Sequence, residues 1–151
     1  HARYKRFDNA PIYTPCPPAA QATCAASGVS FVIISQNLTN VPMQRTPAFT
    51  ANIGANYTAD LAGGELALSG NFYHSSKFHF GPSGTQFLQP AYQTLALRAQ
   101  WTDASDRYMV ALWGDNVTNS RFRTGAQYTN FGIGSNWNKP ATYGVEIGAK
   151  F

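Results

Sequence analysis

Apolar and polar residues alternate with a period of two along five stretches of the chain, a pattern typical of β-strands with one apolar face. In the clearest stretch, the last, the apolar positions alternate with Thr, Gly, Glu and Lys. Its apolar face comprises Tyr143, Val145, Ile147, Ala149 and Phe151. The five predicted strands cover residues 49–58, 66–73, 94–101, 108–115 and 142–151. Residues 1–8 are interpreted as the end of a sixth strand, with Tyr4 as its apolar anchor.

The connections between these strands alternate in length. Two are short, at residues 59–65, where a Gly-Gly pair indicates a turn, and at residues 102–107. The long connections are rich in Pro, Gly, Asn and aromatic residues and lie near residues 9–47, 75–91 and 117–140. Outer-membrane β-barrels alternate short periplasmic turns with long extracellular loops in this way. A soluble β-sandwich would more often have short turns at both ends.

The two faces of each predicted strand differ in a way that favours a membrane barrel. One face is almost purely apolar, and the other carries Thr, Asn, Gly, Ser and Gln. A strand face exposed to bulk water should carry many Lys and Glu, but charged residues make up only 12% of the chain, against roughly 25% in soluble domains. The charged exceptions on the polar face are Arg98, Asp115, Glu146 and Lys150. The predicted fold is an all-β, antiparallel transmembrane β-barrel segment of five to six strands, with its polar face lining a wet lumen.

Aromatic residues lie where the two aromatic girdles of such a barrel are expected. Following the alternating strand directions, one group falls at the short-turn end and comprises Tyr57, Trp101, Tyr108 and Phe151. The other group falls at the long-loop end and comprises Phe49, Phe72 and Tyr143.

Net charge and hydropathy exclude several other classes of protein. The charge is +4, but the basic residues are scattered, so nucleic acid is not an expected partner. On a membrane protein such cations could instead meet lipid phosphates. The longest aliphatic run, residues 31–34, is far shorter than the roughly 18 residues of a membrane-spanning helix. Residues 1–15 lack the apolar region of a signal peptide.

The two cysteines, Cys16 and Cys24, lie eight residues apart in a Pro- and Ala-rich segment. In a polar loop this spacing favours a local disulfide and hence an oxidising compartment. Two free thiols are the alternative. A metal pair is disfavoured because no His or further Cys lies nearby in the sequence.

Five or six strands are too few to close a barrel. In lipid, each open edge would leave about ten unpaired backbone groups, each costing several kcal/mol. We therefore expect the rest of the wall to come from more of the same polypeptide or from partner chains. The start at His1, in what resembles the middle of a strand, favours the first.

Three segments resemble a known family, the TonB-dependent outer-membrane receptors. NLTNVPMQRTPAFTANIGANYT, residues 37–58, is similar to their late-barrel pattern, in which a loop ends in Pro and the following strand closes on Tyr. YMVALWGDNVTN, residues 108–119, resembles their penultimate strand, which ends in Asn-x-Thr-Asn. KPATYGVEIGAKF, residues 139–151, resembles their closing strand, which carries Pro-x-Thr-Tyr-Gly and a terminal Phe.

This resemblance implies a 22-stranded barrel with an N-terminal plug and a TonB-box peptide, neither of which is in this chain. It implies transport of a scarce nutrient (a siderophore, another metal chelate or a saccharide) across the outer membrane of a Gram-negative bacterium. The implied partners are TonB, the rest of the barrel and the plug, the barrel assembly machinery, and outer-membrane lipid and lipopolysaccharide. This chain would supply multi-pass barrel wall, external loops and the C-terminal assembly strand that ends in Phe151.

Few residues indicate chemistry of their own. No cofactor and no metal site are expected, because His74 and His79 have no Cys or carboxylate close by in the sequence. No Gly-x-Ser-x-Gly elbow is present, and an enzyme is not expected. A possible ligand-contact loop carries Tyr128, Phe131 and Trp137, although these aromatics equally fit packing against other loops. The alternatives are a porin-like channel or adhesin and, less favoured, a soluble β-sandwich binding module.

Overall fold

The computed structural model describes residues 2–29, 31–81, 87–129 and 132–151, apart from the side chains of residues 128, 129 and 132. Strands predominate among them. In chain order the elements are β1 (Ala10–Pro15), a 3-10 turn (Pro18–Ala20), α1 (Gln21–Ala26), β2 (Phe31–Gln36), β3 (Thr50–Leu61), β4 (Gly64–Ser75), β5 (Phe78–His79), β6 (Leu88–Gln89), β7 (Tyr92–Asp103), β8 (Tyr108–Asp115), β9 (Arg123–Thr129), β10 (Gly132–Trp137) and β11 (Thr142–Ala149). Within these ranges, no helix has the length and apolarity needed to cross a membrane.

The five strands predicted from alternation form one antiparallel sheet in the order β11-β8-β7-β4-β3. Strand β8 has the predicted bounds, whereas β3, β4 and β7 each have 12 residues and are longer than predicted. At ~3.3 Å per residue and a tilt of ~40°, such a strand rises about 30 Å, enough to cross the ~25 Å apolar band of an outer-membrane barrel.

The turn between β3 and β4 has only two residues. The predicted connection over residues 59–65 is therefore too long, and that prediction is wrong. Leu61 pairs with Gly64, so Ala62 and Gly63 alone join the strands. Both have positive φ, 51° and 70°, which is the geometry of a type I′ hairpin turn. Because the twist of this turn matches that of the strands, pairing continues to its edge.

The second short connection is held by one carboxylate. Asp103 accepts hydrogen bonds from the backbone N–H groups of Arg107, at 2.8 Å, and of Tyr108, at 2.6 Å. It also accepts one from the N–H of Ser105, at 3.2 Å. A short polar side chain that bonds the backbone ahead of it is typical of tight turns, and here it carries the chain from β7 into β8.

The chain divides into two compact units. The sheet unit comprises residues 49–76, 91–121 and 139–151, and it contains the five-stranded sheet. The loop unit comprises residues 1–48, 77–90 and 122–138. The three long connections are therefore not structureless, since the loop unit contains the antiparallel hairpins β1–β2, β5–β6 and β9–β10.

The loop unit has a small apolar core of its own. Ala10, Ile12 and Leu38 are buried together, and Tyr4 and Val41 pack against them. The predicted strand over residues 1–8 is wrong, because the described residues 2–8 have only an isolated bridge between Arg3 and Pro42. Tyr4 is nevertheless an anchor: its N–H donates to the Val41 carbonyl, and its carbonyl accepts from the N–H of Asn40.

The sheet unit has no comparable core. Among the described residues, Ala111 is its only buried apolar side chain. Most of its large apolar residues are exposed on one face of the sheet.

Candidate functional site

The apolar positions of the five strands form one continuous face of the sheet. The strand register aligns Ile53 with Phe72 and Phe72 with Leu95, and on the other side of β8 it aligns Leu112 with Val145. This face is open: Ile53 is 64% and Ile147 is 79% exposed. So large an apolar surface exceeds what soluble monomers tolerate and indicates contact with lipid or with another apolar partner.

Aromatic side chains at the two ends of this face turn their polar atoms toward backbone carbonyls. Trp101, at the short-turn end, donates from Nε1 to the Leu61 carbonyl at 2.9 Å. Tyr143, at the end where the long connections leave the sheet, donates from its hydroxyl to the Val117 carbonyl at 3.4 Å. Rings with an apolar body and a hydrogen-bonding tip are typical of membrane interfaces.

The opposite face carries a polar network that spans three strands. Arg98 on β7 donates from Nη1 to Oε2 of Glu146 on β11 at 2.9 Å, and from Nη2 to Oε1 of Gln100 at 3.0 Å. Ala111 of the intervening strand β8 pairs with both Gln100 and Glu146 and is fully buried. This face therefore resembles the polar lining of a lumen, as the sequence predicts.

The predicted assembly strand is an edge strand of the sheet, and it fits β8 closely. An added Cβ at Gly144 would lie 2.5 Å from the Trp113 ring, and one at Gly114 would lie 2.9 Å from the Tyr143 ring. Each glycine leaves room for an aromatic ring of the neighbouring strand, which fixes the register. Strand β11 ends at Ala149, two residues earlier than predicted, and Phe151 lies fully exposed beyond it.

In the loop unit, Cys16 and Cys24 form a disulfide between the end of β1 and the helix α1, with their Cα atoms 6.5 Å apart. Cys24 is the buried residue of α1. The helix has six residues and no side-chain cap, and so short a helix is marginal by itself. The cross-link therefore holds in place a segment with little stability of its own.

The predicted ligand-contact loop folds as the hairpin β9–β10. Trp137 lies at the end of β10 and is 56% exposed, with the Arg123 guanidinium 5.1 Å from its ring centroid. The Tyr128 side chain and Phe131 lie outside the described residues. Arg123 also donates from its backbone N–H to Oε1 of Gln89 at 2.7 Å, and from Nη1 to the Leu88 carbonyl at 3.3 Å. These contacts join β9 to β6.

The two histidines singled out in the sequence lie in different units. His74 belongs to the sheet unit and packs against Phe49, with ring centroids 6.0 Å apart. His79 belongs to the loop unit, where its Nδ1 is buried without a hydrogen-bond partner. Among the described residues, no group of three His, Cys, Asp or Glu side chains is placed to hold a metal ion.

Sequence reasoning missed the contacts that organise the loop unit. Arg45 lies 5.3 Å from the Phe80 ring centroid, and Arg123 binds residues 34 and 35 positions away. No local pattern marks such pairs. The available signal was the presence of Arg beside aromatic residues in loops that are otherwise poor in charge.

Two solved receptors have a fold similar to that of the chain. The ferric yersiniabactin uptake receptor FyuA from Yersinia pestis matches 79% of the chain, with a TM-score of 0.67 and 19% identity. The ferric preacinetobactin receptor BauA from Acinetobacter baumannii matches 75% of the chain, with a TM-score of 0.58 and 24% identity. The chain spans 19% and 16% of the length of these receptors. No protein-family model and no curated protein matches the sequence.

The likeness confirms the predicted fold class: the chain folds as an antiparallel β-barrel segment, similar to part of these two receptor barrels.

Proposed function

We propose that this chain is part of the wall and external loops of a TonB-dependent receptor that imports a ferric siderophore across the outer membrane. The observation that carries the proposal is the open apolar face, continuous over five strands and backed by a polar face. Two receptors of ferric chelates share this fold. A barrel segment with these faces separates lipid from a wet lumen.

The open edges of the sheet indicate how the chain is completed. Strands β3 and β11 are its two edges, and an unpaired strand edge in lipid is too costly to persist. Further strands complete the barrel, and a plug domain fills its lumen. Energy for import comes from TonB, which contacts a region outside this chain.

The loop unit supports a role in ligand contact at the cell surface. Trp137 and Arg123 together offer an exposed ring beside a guanidinium. Ferric siderophores combine aromatic or apolar groups with anionic oxygen donors, so a ring and a cation suit both parts of such a ligand. The hairpin β9–β10 is the segment we assign to this contact.

Uptake in whole cells tests the proposal. The gene encoding this chain is deleted and restored in its host under iron limitation, and entry of ⁵⁵Fe is followed with ferric yersiniabactin, ferric preacinetobactin and a ferric trihydroxamate. We expect entry of at least one chelate to depend on the gene, on TonB and on the proton gradient. Gene-dependent entry of maltodextrin in place of every ferric chelate would contradict the siderophore assignment. Entry independent of TonB would favour a porin-like channel.

A matched pair of loop variants tests the ligand contact. Trp137→Ala should weaken binding of the transported chelate to whole cells about tenfold, as expected for an aromatic side chain that the bound ligand covers. Tyr13→Ala removes another half-exposed ring of the loop unit, on a different hairpin, and should leave binding unchanged. Equal losses in the two variants would mean that the effect is general disturbance of the loops.

A further inference from the structure

The hairpin β1–β2 of the loop unit is a two-stranded sheet with an open edge. All six residues of β2 pair with β1 on one side, and among the described residues no third strand joins this sheet. Hydrogen-bonding groups of a strand point alternately to its two sides, so about half of the backbone groups of β2 point away from β1. In the described part of the chain, no backbone hydrogen bond from outside the hairpin reaches residues 31–36.

The two edges of this hairpin differ in composition. Strand β1 carries Pro11 and Pro15, and proline lacks the N–H that an added strand would need. Strand β2 has the sequence FVIISQ, with neither proline nor a charged residue. Natural edge strands are usually protected by prolines, by charges or by a covering element. Within the described ranges β2 has none of these, so its outer edge is open to strand addition.

One face of the hairpin offers apolar side chains beside this edge. Tyr13 lies opposite Ile33 on the paired strands, and the two residues are 52% and 60% exposed. Phe31 lies two residues from Ile33 on the same face, and its ring packs edge-on against Tyr13 with centroids 5.2 Å apart. The other face of β1 packs inward, since Ile12 belongs to the buried core. The exposed face can therefore receive alternate side chains of an added strand.

A basic residue lies near the end of β2. Residues 5–8 run beside residues 37–39, where the Leu38 N–H donates to the Phe7 carbonyl at 2.9 Å. Lys5 is exposed, and among the described residues no carboxylate pairs with it. A partner with a carboxylate next to its apolar strand would therefore meet a basic surface here.

The loop unit as a whole has the same sign of charge. It contains six basic residues and one acidic residue, which gives a net charge of +5 with histidine neutral. Two copies of this unit would repel each other, which disfavours pairing of β2 with the same strand of a second copy. Charge complementarity instead favours a partner segment that carries acidic residues.

We infer that β2 is a docking edge for an extended segment of another protein, an uncharged apolar strand flanked by acidic residues. The segment adds to the hairpin as a third strand. Its backbone bonds the outward N–H and C=O groups of β2, and its alternate side chains pack against Tyr13, Phe31 and Ile33. The site uses other residues than Arg123 and Trp137, which are assigned to the chelate, so it adds a protein partner to the proposed transport role.

Binding of synthetic peptides to the full-length protein in mild detergent tests the edge. The probe is the fluorescent peptide Asp-Asp-Thr-Val-Thr-Val-Thr-Asp-Asp. One control peptide has Lys in place of every Asp, and another has the probe sequence with N-methylated amides at its central residues. Fluorescence anisotropy should show that methylation weakens binding at least about tenfold, because the backbone supplies the affinity. The Lys peptide should also bind more weakly than the probe, and added salt of about 0.5 M should reduce that difference.

Two matched pairs of variants locate the contact. Ile33→Lys puts a charge on the edge strand, which hinders strand addition, and should weaken probe binding about tenfold. Ile133→Lys changes another exposed isoleucine of the loop unit, on the hairpin β9–β10, and should bind the probe as the wild type does. Lys5→Glu should weaken binding of the acidic probe more than Lys77→Glu, which reverses an exposed lysine elsewhere in the unit. Hydrogen exchange along β1 checks that the hairpin of Ile33→Lys is folded.

Hydrogen exchange of the wild type identifies the occupant of the edge. The probe should slow exchange of residues 31–36 and leave the hairpin β9–β10 unchanged. If β2 exchanges slowly before the peptide is added and does not change afterwards, a neighbouring loop of the barrel already covers the edge and the inference is wrong. Self-association that Ile33→Lys abolishes, without probe binding, would assign the edge to a second copy and also overturn it. Undiminished binding of the methylated peptide would exclude strand addition, and equal binding of the Lys peptide would exclude an acidic partner.

Discussion

Among the described residues, the loop unit buries six apolar side chains, whereas the sheet unit buries only Ala111. Leu38 in the loop unit is 1% exposed, and Phe80 and Phe87 are also buried there. In the sheet unit, Leu112 is 58% exposed on a face where aliphatic residues of comparable size repeat on every strand. Full burial of such a side chain is worth about 1.5–3 kcal/mol in water. The loop unit thus has a buried apolar core of its own, although Ile33 is 60% exposed there, whereas the sheet unit presents its apolar side chains outward, as a sheet in an apolar solvent does.

The contrast also explains why each unit is held together differently. The sheet unit depends on backbone pairing, which along β3, β4 and β7 is continuous over twelve residues. The loop unit has strands as short as two residues, and it relies on a small core, a disulfide and cation–π contacts. Substitutions at lipid-facing positions and at water-facing positions should therefore affect the two units in different ways.

The largest effect is expected from a charge on the apolar face. Leu97→Arg should destabilise the full-length protein by about 2–4 kcal/mol, because Leu97 lies near the middle of β7 and arginine at that depth must leave water. Asn71→Arg, on the polar face one position further along the paired strands, should cost far less, as should Thr50→Arg at the start of β3. Equilibrium unfolding by denaturant in phospholipid bilayers measures the differences. Equal costs at Leu97 and Asn71 would reverse the assignment of the faces.

The disulfide should stabilise the loop unit and not the sheet. A cross-link between residues eight apart contributes about 2.5 kcal/mol in the chain-entropy model. Cys16→Ser together with Cys24→Ser should therefore speed proteolysis and hydrogen exchange of the loop unit, while protection along β4 and β7 stays unchanged. Maleimide labelling of the native protein without reductant checks the bond itself. Rapid modification of both cysteines would rule it out.

The ion pair on the polar face should have a smaller effect. The side chains of Arg98 and Glu146 are 34% and 49% exposed, and pairs in contact with water contribute at most about 1 kcal/mol. A double-mutant cycle with Arg98→Gln and Glu146→Gln should give a coupling of that size, reduced by added salt. A salt-insensitive coupling of several kcal/mol would mean that another part of the protein covers the pair.

The sequence determines the sheet far better than the loop unit, for a physical reason. On a sheet with lipid on one side and water on the other, the polarity of each residue follows the face on which its side chain lies. Alternation alone therefore locates β8 and the central residues of β3. Strand β2 shows no such alternation, since Phe31 to Ile34 are all apolar, and the sequence therefore predicts only a long connection over these residues. The contacts of Arg123 depend on residues 34 and 35 positions away, and the partners in the hairpin β1–β2 lie 16 to 26 positions apart. The turn between β3 and β4 lies at Ala62 and Gly63, one residue before the predicted Gly-Gly turn, because a positive φ at Ala has no residue signal.

The final prediction concerns Phe151, whose removal should affect assembly into the outer membrane but not the folding stability of the inserted protein. Phe151 is fully exposed beyond the end of β11, and backbone pairing reaches only its neighbour, whose N–H donates to the Arg107 carbonyl at 2.9 Å. Deleting Phe151 therefore removes no buried contact of the sheet, and the folding free energy of inserted protein should change by less than about 0.5 kcal/mol.

Assembly machinery that binds a strand by adding it to a sheet, by contrast, recognises backbone groups at an exposed edge and side chains at alternate positions. Strand β11 offers both, with Tyr143, Val145 and Ile147 aligned toward Phe151. We expect the deletion to lower the fraction of full-length protein that reaches the outer membrane and to raise its periplasmic degradation products. Phe151→Tyr should retain most of the yield, because the ring is preserved. Surface labelling at high expression decides the matter: if the deletion leaves the yield unchanged, the residue carries no assembly information and is an aromatic of the interface alone.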